Sequence, residues 1–296
     1  MKKTLVFFLI LVCFLFSPLC NGNKEAILSV SFLDVGQGDA TLIQQGNHFM
    51  LIDAGEKPDV IHTILENKGI KDIDIVIATH NDSDHIGGIA NVLKFRNVKK
   101  LYLSQDEKQN TKAYENMIYY ANEMNVRVYY PKTGDKISIG DACLTFIGPI
   151  GTYNNSNDCS LCTRIDFGDT SFLLMGDSSV EVENEIIEND VQSVKCSVLK
   201  VSHHGADTSS GYRLLRESQP LYAIISVGKN NSYGHPSEPV ISRLSDYKKA
   251  NPNFRLYRTD MQGTITFISN GKEITQVTIE KNEYSADVYK EKKTIY

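Results

Sequence analysis

An apolar run from Ile73 to Thr79 ends on Thr79-His80-Asn81-Asp82-Ser83-Asp84-His85-Ile86-Gly87-Gly88, and this junction constrains the fold more than any other stretch of the sequence. The run reads as a buried strand and Ile86 to Phe95 as a helix. His80, Asp82, Asp84 and His85 therefore crowd one strand-to-helix turn. Such a turn gathers imidazoles and carboxylates around a point, and His with Asp suits divalent zinc, manganese or iron. Gly87 and Gly88 allow the helix start to lie close beneath that point.

The pattern around the junction is that of an α/β chain. Ile27 to Leu33 and His48 to Ile52 read as strands around a glycine-containing turn, and Asp59 to Lys68 as an amphipathic helix stopped by Gly69. Lys100 to Leu103 reads as a strand and Thr111 to Asn125 as the longest helix. Closely spaced strands at 136–139, 142–147, 160–167 and 171–175 suggest hairpins. Strands at 197–201, 222–227, 264–268 and near Leu256 then alternate with helices at 180–188, 210–217 and 238–247. Two strand–helix halves without a linker predict one layered unit with two packed sheets, its core at about 27–270. A polar tail runs from Glu280 to Tyr296.

Composition removes other classes. With 41% hydrophobic residues the 296-residue chain is too apolar for disorder, and six cysteines are too few for a disulfide scaffold. Lys2 and Lys3, the uncharged stretch Leu5 to Phe16 and the small or polar Ser17, Cys20, Asn21 and Gly22 read as a secretory signal over 1–22. An uncleaved anchor and lipidation at Cys20 are the alternatives. The expected mature chain, 23–296, is extracytoplasmic and has a formal charge of −7, because loss of Lys2 and Lys3 reduces the 31 basic residues to 29 against 36 acidic ones. Such a surface grips duplex nucleic acid poorly, although bound metal ions supply positive charge locally. Cys143, Cys159, Cys162 and Cys196 fit ordinary packing or one disulfide better than a metal knuckle, since no second CxxC accompanies Cys159–Cys162. His48 and His62 lack partners in sequence and read as ordinary histidines.

The loop His80-x-Asp82-x-Asp84-His85 resembles the metallo-β-lactamase-fold signature HxHxDH with its second His replaced by Asp. Further segments resemble the hydrolase domain of the ComEC competence-protein family: Phe32-Leu33-Asp34-Val35-Gly36-Gln37-Gly38-Asp39-Ala40, Leu51-Ile52-Asp53-Ala54-Gly55, Leu174-Met175-Gly176-Asp177, Leu199-Lys200-Val201-Ser202-His203-His204-Gly205 and Tyr233-Gly234-His235-Pro236. The resemblance spans about residues 29–270. It implies a four-layer αββα sandwich with two divalent metal ions, manganese or zinc, at a sheet edge. His80 and Asp82 would bind one ion, Asp84 and His85 the other, and Asp177 both. One of His203 and His204, with His204 preferred, would complete the second site, and Asp53 would orient the ligand loop.

Two departures from the parent pattern stand out. Asp82 replaces a histidine, and no histidine lies around Asn157-Asp158-Cys159-Ser160, where the parent fold places its third ligand. Carboxylates in place of imidazoles shift the preference toward manganese or a mixed site. Asp158 is either a compensating ligand or a turn residue.

The expected reaction is metal-assisted hydrolysis of a phosphodiester, DNA among the candidates. Asp84 would guide the proton, His203 or His235 would face the substrate, and the Gln37 turn would offer backbone N–H groups to an oxyanion. This chain lacks the multispanning channel of the ComEC family. The rival readings are a phosphorylcholine esterase-like or lactonase-like hydrolase, and a degenerate binding module. Oligomeric state is not legible in the sequence.

Overall fold

The computed structural model describes residues 26–105 and 111–281. The expected signal and nearly all of the polar tail lie outside them.

The first half of the chain supplies β1 (Leu28–Phe32), β2 (Thr41–Gln45), β3 (His48–Ile52), α1 (Pro58–Asn67), β4 (Asp72–Ala78), α2 (Ser83–Ile86), α3 (Ile89–Phe95), β5 (Asn97–Leu103), α4 (Lys112–Glu123) and β6 (Arg127–Tyr129). The second half begins with β7 (Lys136–Ile139), β8 (Ala142–Phe146), β9 (Thr163–Phe167), β10 (Thr170–Leu174), α5 (Val180–Asn189) and β11 (Val198–Lys200). It continues with α6 (Tyr212–Ser218), β12 (Tyr222–Ile225), α7 (Glu238–Ala250), β13 (Arg255–Arg258), α8 (Thr259–Gln262), β14 (Thr264–Ser269) and β15 (Ile274–Glu280).

Among the described residues these strands form an eight-stranded sheet, β15-β14-β1-β2-β3-β4-β5-β6, and a seven-stranded sheet, β13-β12-β11-β10-β9-β8-β7. The period-2 alternation of the strands sorts their side chains into three apolar layers. Val30, Phe32, Ile75 and Ile77 of the first sheet meet Phe172, Val198 and Ile224 of the second. Val76 and Ala78 face outward onto Ile61, Leu65 and Leu93 of α1 and α3. Leu173, Leu199 and Ile225 face Val182, Leu214 and Leu244 of α5, α6 and α7. The architecture is the expected αββα sandwich.

The structure departs from the sequence reading at several places. The hairpin β2–β3 turns on Gly46–Asn47, with Gln45 opposite His48, so Thr41–Gln45 is a strand that the glycines at 36 and 38 concealed. The helix expected at Ile86–Phe95 is broken into α2 and α3. A Cβ on Gly87 would overlap the Glu56 carbonyl and one on Gly88 the Ala54 carbonyl, so both glycines are required by close backbone contact. The halves also do not segregate by sheet, because β14 returns to pair antiparallel with β1. Finally, β15 extends the sheet beyond the expected core boundary at Asn270, its alternating Ile274, Val277 and Ile279 diluted by polar neighbours.

Cys143, Cys159, Cys162 and Cys196 are all free thiols. Cys159 Sγ donates to the Tyr153 carbonyl and Cys162 Sγ to Met175, and burial pushes the Cys162 thiol up to about 12. Both side chains are buried, and neither belongs to a candidate metal cluster among the described residues. Among the described residues no helix is long and apolar enough to cross a membrane.

Candidate active site

The parallel strands β3 and β4 of one sheet, and β10, β11 and β12 of the other, end at the same edge. The loops that follow them carry Asp53, His80 to His85, Asp177, His203–His204 and His235. The β1–β2 loop joins them from the side, with its Asp39 N–H donating to the Asp84 carbonyl at 3.1 Å.

Three histidines are held by one ring nitrogen and present the other. Asp53, at φ 58°, accepts hydrogen bonds from the Thr79 N–H (2.8 Å) and Thr79 hydroxyl (2.7 Å). It also accepts from His85 Nδ1 at 2.8 Å. Because the Thr79 hydroxyl proton is committed to Asp53, its oxygen accepts from His80 Nδ1, 3.2 Å away. His204 Nδ1 donates to the Ser226 carbonyl at 2.9 Å and lies 3.3 Å from Asp39 Oδ1. With all three Nδ1 atoms engaged, each Nε2 is the ring atom left to face the cluster. All three Nε2 atoms are buried without a hydrogen-bond partner, as is Asp177 Oδ1.

They converge on Asp177. Its Oδ2 lies 3.2 Å from His85 Nε2, 3.4 Å from His204 Nε2 and 3.7 Å from His203 Nε2. Ligand atoms of His80, His85 and Asp177 fall within 4.8 Å of one another, as do those of Asp84, His85 and His204 and those of Asp39, Asp177 and His204. Asp39, Asp53 and Asp177 act on one ammonium, Lys200, which pairs with Asp39. Several carboxylates clustered with three imidazoles suit divalent cations. Burial opposes charge on His85 and His204, but Asp177 with Asp53 or Asp39 outweighs it and holds both imidazoles well above their ordinary range.

The expected ligand set is brought together with one exception. Asp84, His85, His204 and Asp177 share overlapping clusters, and His80 joins His85 and Asp177. Asp82 belongs to none of these clusters; its carboxylate is 48% exposed at the rim, 3.7 Å from His80 Nε2. His204 is buried with its Nε2 pointing inward, whereas His203 lies at the mouth, so the preference for His204 agrees with the geometry. Burial lowers the pKa of His203 and of His235, whose rings meet at 5.5 Å. Asp158 Oδ1 accepts the Ser179 N–H at 2.9 Å and anchors the start of α5, which is the turn-residue alternative. In the stretch lacking a histidine, Ser160 accepts the Asp177 N–H at 3.0 Å.

The Gln37 side chain has a bracing role that the sequence did not disclose. Its amide donates to Asp84 Oδ2 at 3.4 Å and accepts from the Gly228 N–H at 3.1 Å. The Gly36 and Asp39 N–H groups go to Asp34 and Asp84. The loop thus braces Asp84 through the Gln37 amide and the Asp39 N–H. His48 pairs with the partly exposed Asp74 and His62 packs on Phe95, both away from the cluster as expected.

Three buried groups were not assigned a role from the sequence. Asp39 and Lys200 lie inside quoted motifs, and a lysine within the apolar Val198 to Val201 was the available signal. Glu183, on the inner face of α5, accepts from the Ser210 N–H (2.6 Å), Gly211 N–H (2.9 Å) and Ser202 hydroxyl (3.0 Å). It thereby clamps a loop in which His203 (φ 49°), His204 (φ 52°) and Ser210 (φ 51°) are all left-handed, a strained conformation for such residues.

Burial pushes the Glu183 carboxyl from 4.5 up to about 7, against those hydrogen bonds. The fold therefore favours its protonated form. Its contribution to stability is complete below pH 4.5 and lost as pH rises through about 7. In urea unfolding of the metal-free chain from pH 4 to 8, Glu183→Gln should gain on the wild type by about 3 kcal/mol across that window. A difference that does not change with pH would refute this assignment.

Comparison with known proteins agrees with the geometry. The family model described as "Metallo-beta-lactamase superfamily" matches residues 33–229. ComE operon protein 3 of Bacillus subtilis is 34% identical over 261 residues, covering 80% of this chain and 32% of that protein. Recombination protein 2 of Haemophilus influenzae is 30% identical over 296 residues, covering 95% of this chain and 34% of that protein. The chain thus spans about a third of the length of these curated relatives. The crystal structure of the metallo-beta-lactamase fold protein YhfI from Bacillus subtilis superposes with a TM-score of 0.53 at 14% identity, over 82% of this chain and 100% of that one. At that identity the likeness shows the fold alone. The matched segment runs from the β1–β2 loop through both sheets to the loop after β12, and so contains every histidine and carboxylate converging on Asp177: this chain belongs to the metallo-beta-lactamase superfamily.

Proposed function

We propose that the chain is an exported phosphodiesterase that depends on two divalent metal ions, manganese or zinc, and that DNA is among its substrates. The observation that carries metal dependence is the set of three buried, unpartnered Nε2 atoms around Asp177. His80 and Asp177, with Asp82 reaching in from the rim, would hold one ion, and Asp84, His85, His204 and Asp177 would hold the other. Bound divalent ions supply Lewis acidity, making water acidic enough to attack at neutral pH and drawing charge from a phosphoryl oxygen.

The chain's own groups supply the remaining functions. Asp84, whose side chain is 20% exposed and steadied by Gln37, reaches solvent and takes the proton of the attacking water. His203 and His235 stand at the mouth and hydrogen-bond the phosphoryl oxygens or the departing group. A groove of about 590 Å³ leads away between Asn155, Asn157, Asp177, Glu181, His203 and Thr208, with no Lys or Arg in its lining. Charge on the phosphate must then be met at the cluster, so binding is expected to be weak without metal. Relatives named for competence and recombination support DNA as the source of the phosphodiester.

The test incubates residues 23–296 with labelled single-stranded DNA and bis-p-nitrophenyl phosphate across a metal series. Cleavage should require manganese or zinc, Asp84→Ala should lose at least ~10²-fold, and His235→Ala should slow turnover while retaining its metal. Absence of metal-dependent cleavage of both substrates would overturn the reading. Hydrolysis of a lactone or choline ester instead would replace it.

A further inference from the structure

The loop between β12 and α7 carries Tyr233, whose side chain has no role in the site described above. Tyr233 is 65% exposed. Exposure alone means little, since Tyr212 at 62% and Tyr119 at 56% are as open. Tyr233 differs in being stacked. Its ring lies on His235 with centroids 5.8 Å apart and planes at 24°, and His235 meets His203 at 5.5 Å. A column of rings thus runs outward from Asp177 and ends on an aromatic face open to solvent.

That column is held in place before any substrate arrives. Asn231 Nδ2 donates to the carbonyls of Gly228 (3.0 Å) and His235 (2.6 Å), and its Oδ1 accepts the N–H groups of Tyr233 and His235, both at 3.1 Å. Gly228 is tied to Gln37, and the Ser237 N–H donates to Gly205 at 2.9 Å beside the histidine loop. An exposed tyrosine fixed in this way offers apolar area at little entropic cost. It does not form a cation cage, because no tyrosine, phenylalanine or tryptophan from the adjoining groove closes over it.

We propose that Tyr233 is a stacking platform for the nucleobase flanking the scissile phosphate, so that the enzyme selects strands whose bases are unpaired and free to lie flat. This rests on the phosphodiesterase reading. A base within a duplex hides both faces and cannot reach the platform, whereas stacking on an aromatic accepts any base.

The test measures binding and cleavage separately. On the non-cleaving Asp84→Ala chain, fluorescence anisotropy with a labelled single-stranded oligonucleotide should show Tyr233→Ala raising Kd about tenfold. Tyr233→Phe should bind like the tyrosine form, and a strand of abasic residues should be bound equally with or without Tyr233. Equal affinity of the alanine and tyrosine forms for the base-bearing strand would overturn the platform. Cleavage of the same strand by the chain with Asp84 intact tests the phosphodiesterase reading, so each failure can be told from the other.

Discussion

Replacing Asp177 with alanine should abolish hydrolysis, by more than ~10³-fold, and leave one bound metal ion or fewer by elemental analysis. Its Oδ2 is the atom approached by His85, His204 and His203 at 3.2, 3.4 and 3.7 Å, and no neighbouring side chain reaches all three. Burial opposes its charge, but His85 and His204 hold its carboxyl well below the usual carboxylate range. Removal takes away the shared anion on which both clusters depend. The loss is several kcal/mol of transition-state stabilisation, at about 1.4 kcal/mol per tenfold in rate. Asp177→Asn, which keeps the shape, separates charge from packing and should be nearly as inactive. Full metal content in both variants would show that Asp177 is not the shared group.

Lys200→Met should have the largest effect on stability. Lys200 is 2% exposed on the central strand β11, and its ammonium pairs with Asp39, which is also 2% exposed. Burial opposes charge on both, and each overcomes it through the other: Lys200 is raised and Asp39 is lowered. Breaking the pair from one side leaves Asp39 buried with imidazole partners alone, and costs about 3–5 kcal/mol. For a chain of this size that lowers Tm by about 10 °C in the metal-free protein. Lys200→Met combined with Asp39→Asn should recover much of the loss, because no lone charge then remains. If the single variant melts within a degree or two of wild type, the pair is not a structural tie.

The legible parts of the site were those written locally. His80 to His85 occupy one turn, and Asp53 and Asp177 each end a strand in a short motif, so residue type and spacing disclosed them. What escaped were roles made by contacts between distant segments. Gln37 spends both ends of its amide on Asp84 and Gly228, and its flanking glycines gave no hint of that. Glu183 looks in sequence like one more acid in the first turn of a helix, where acids are favoured for reasons of dipole alone. Only the returning 202–211 loop makes it a clamp. The layers followed from alternating apolar positions, but β15 was lost because an edge strand half open to solvent has little apolar signal.

The pairing of β1 with β14 also governs when the site comes into being. Ser31 and Thr266, bonded through their hydroxyls at 2.8 Å, are 235 residues apart in sequence. The eight-stranded sheet therefore cannot close until β14 has been synthesised, and contacts so remote make closure slow. Throughout that interval His80 and His85 are already synthesised, while Asp177 and His204 are either absent or unplaced. A half-made chain offers an incoming cation no more than an isolated polar loop. Metal capture is thereby a late event, and uptake of the ions by a refolding sample should track completion of the sandwich rather than its initial collapse.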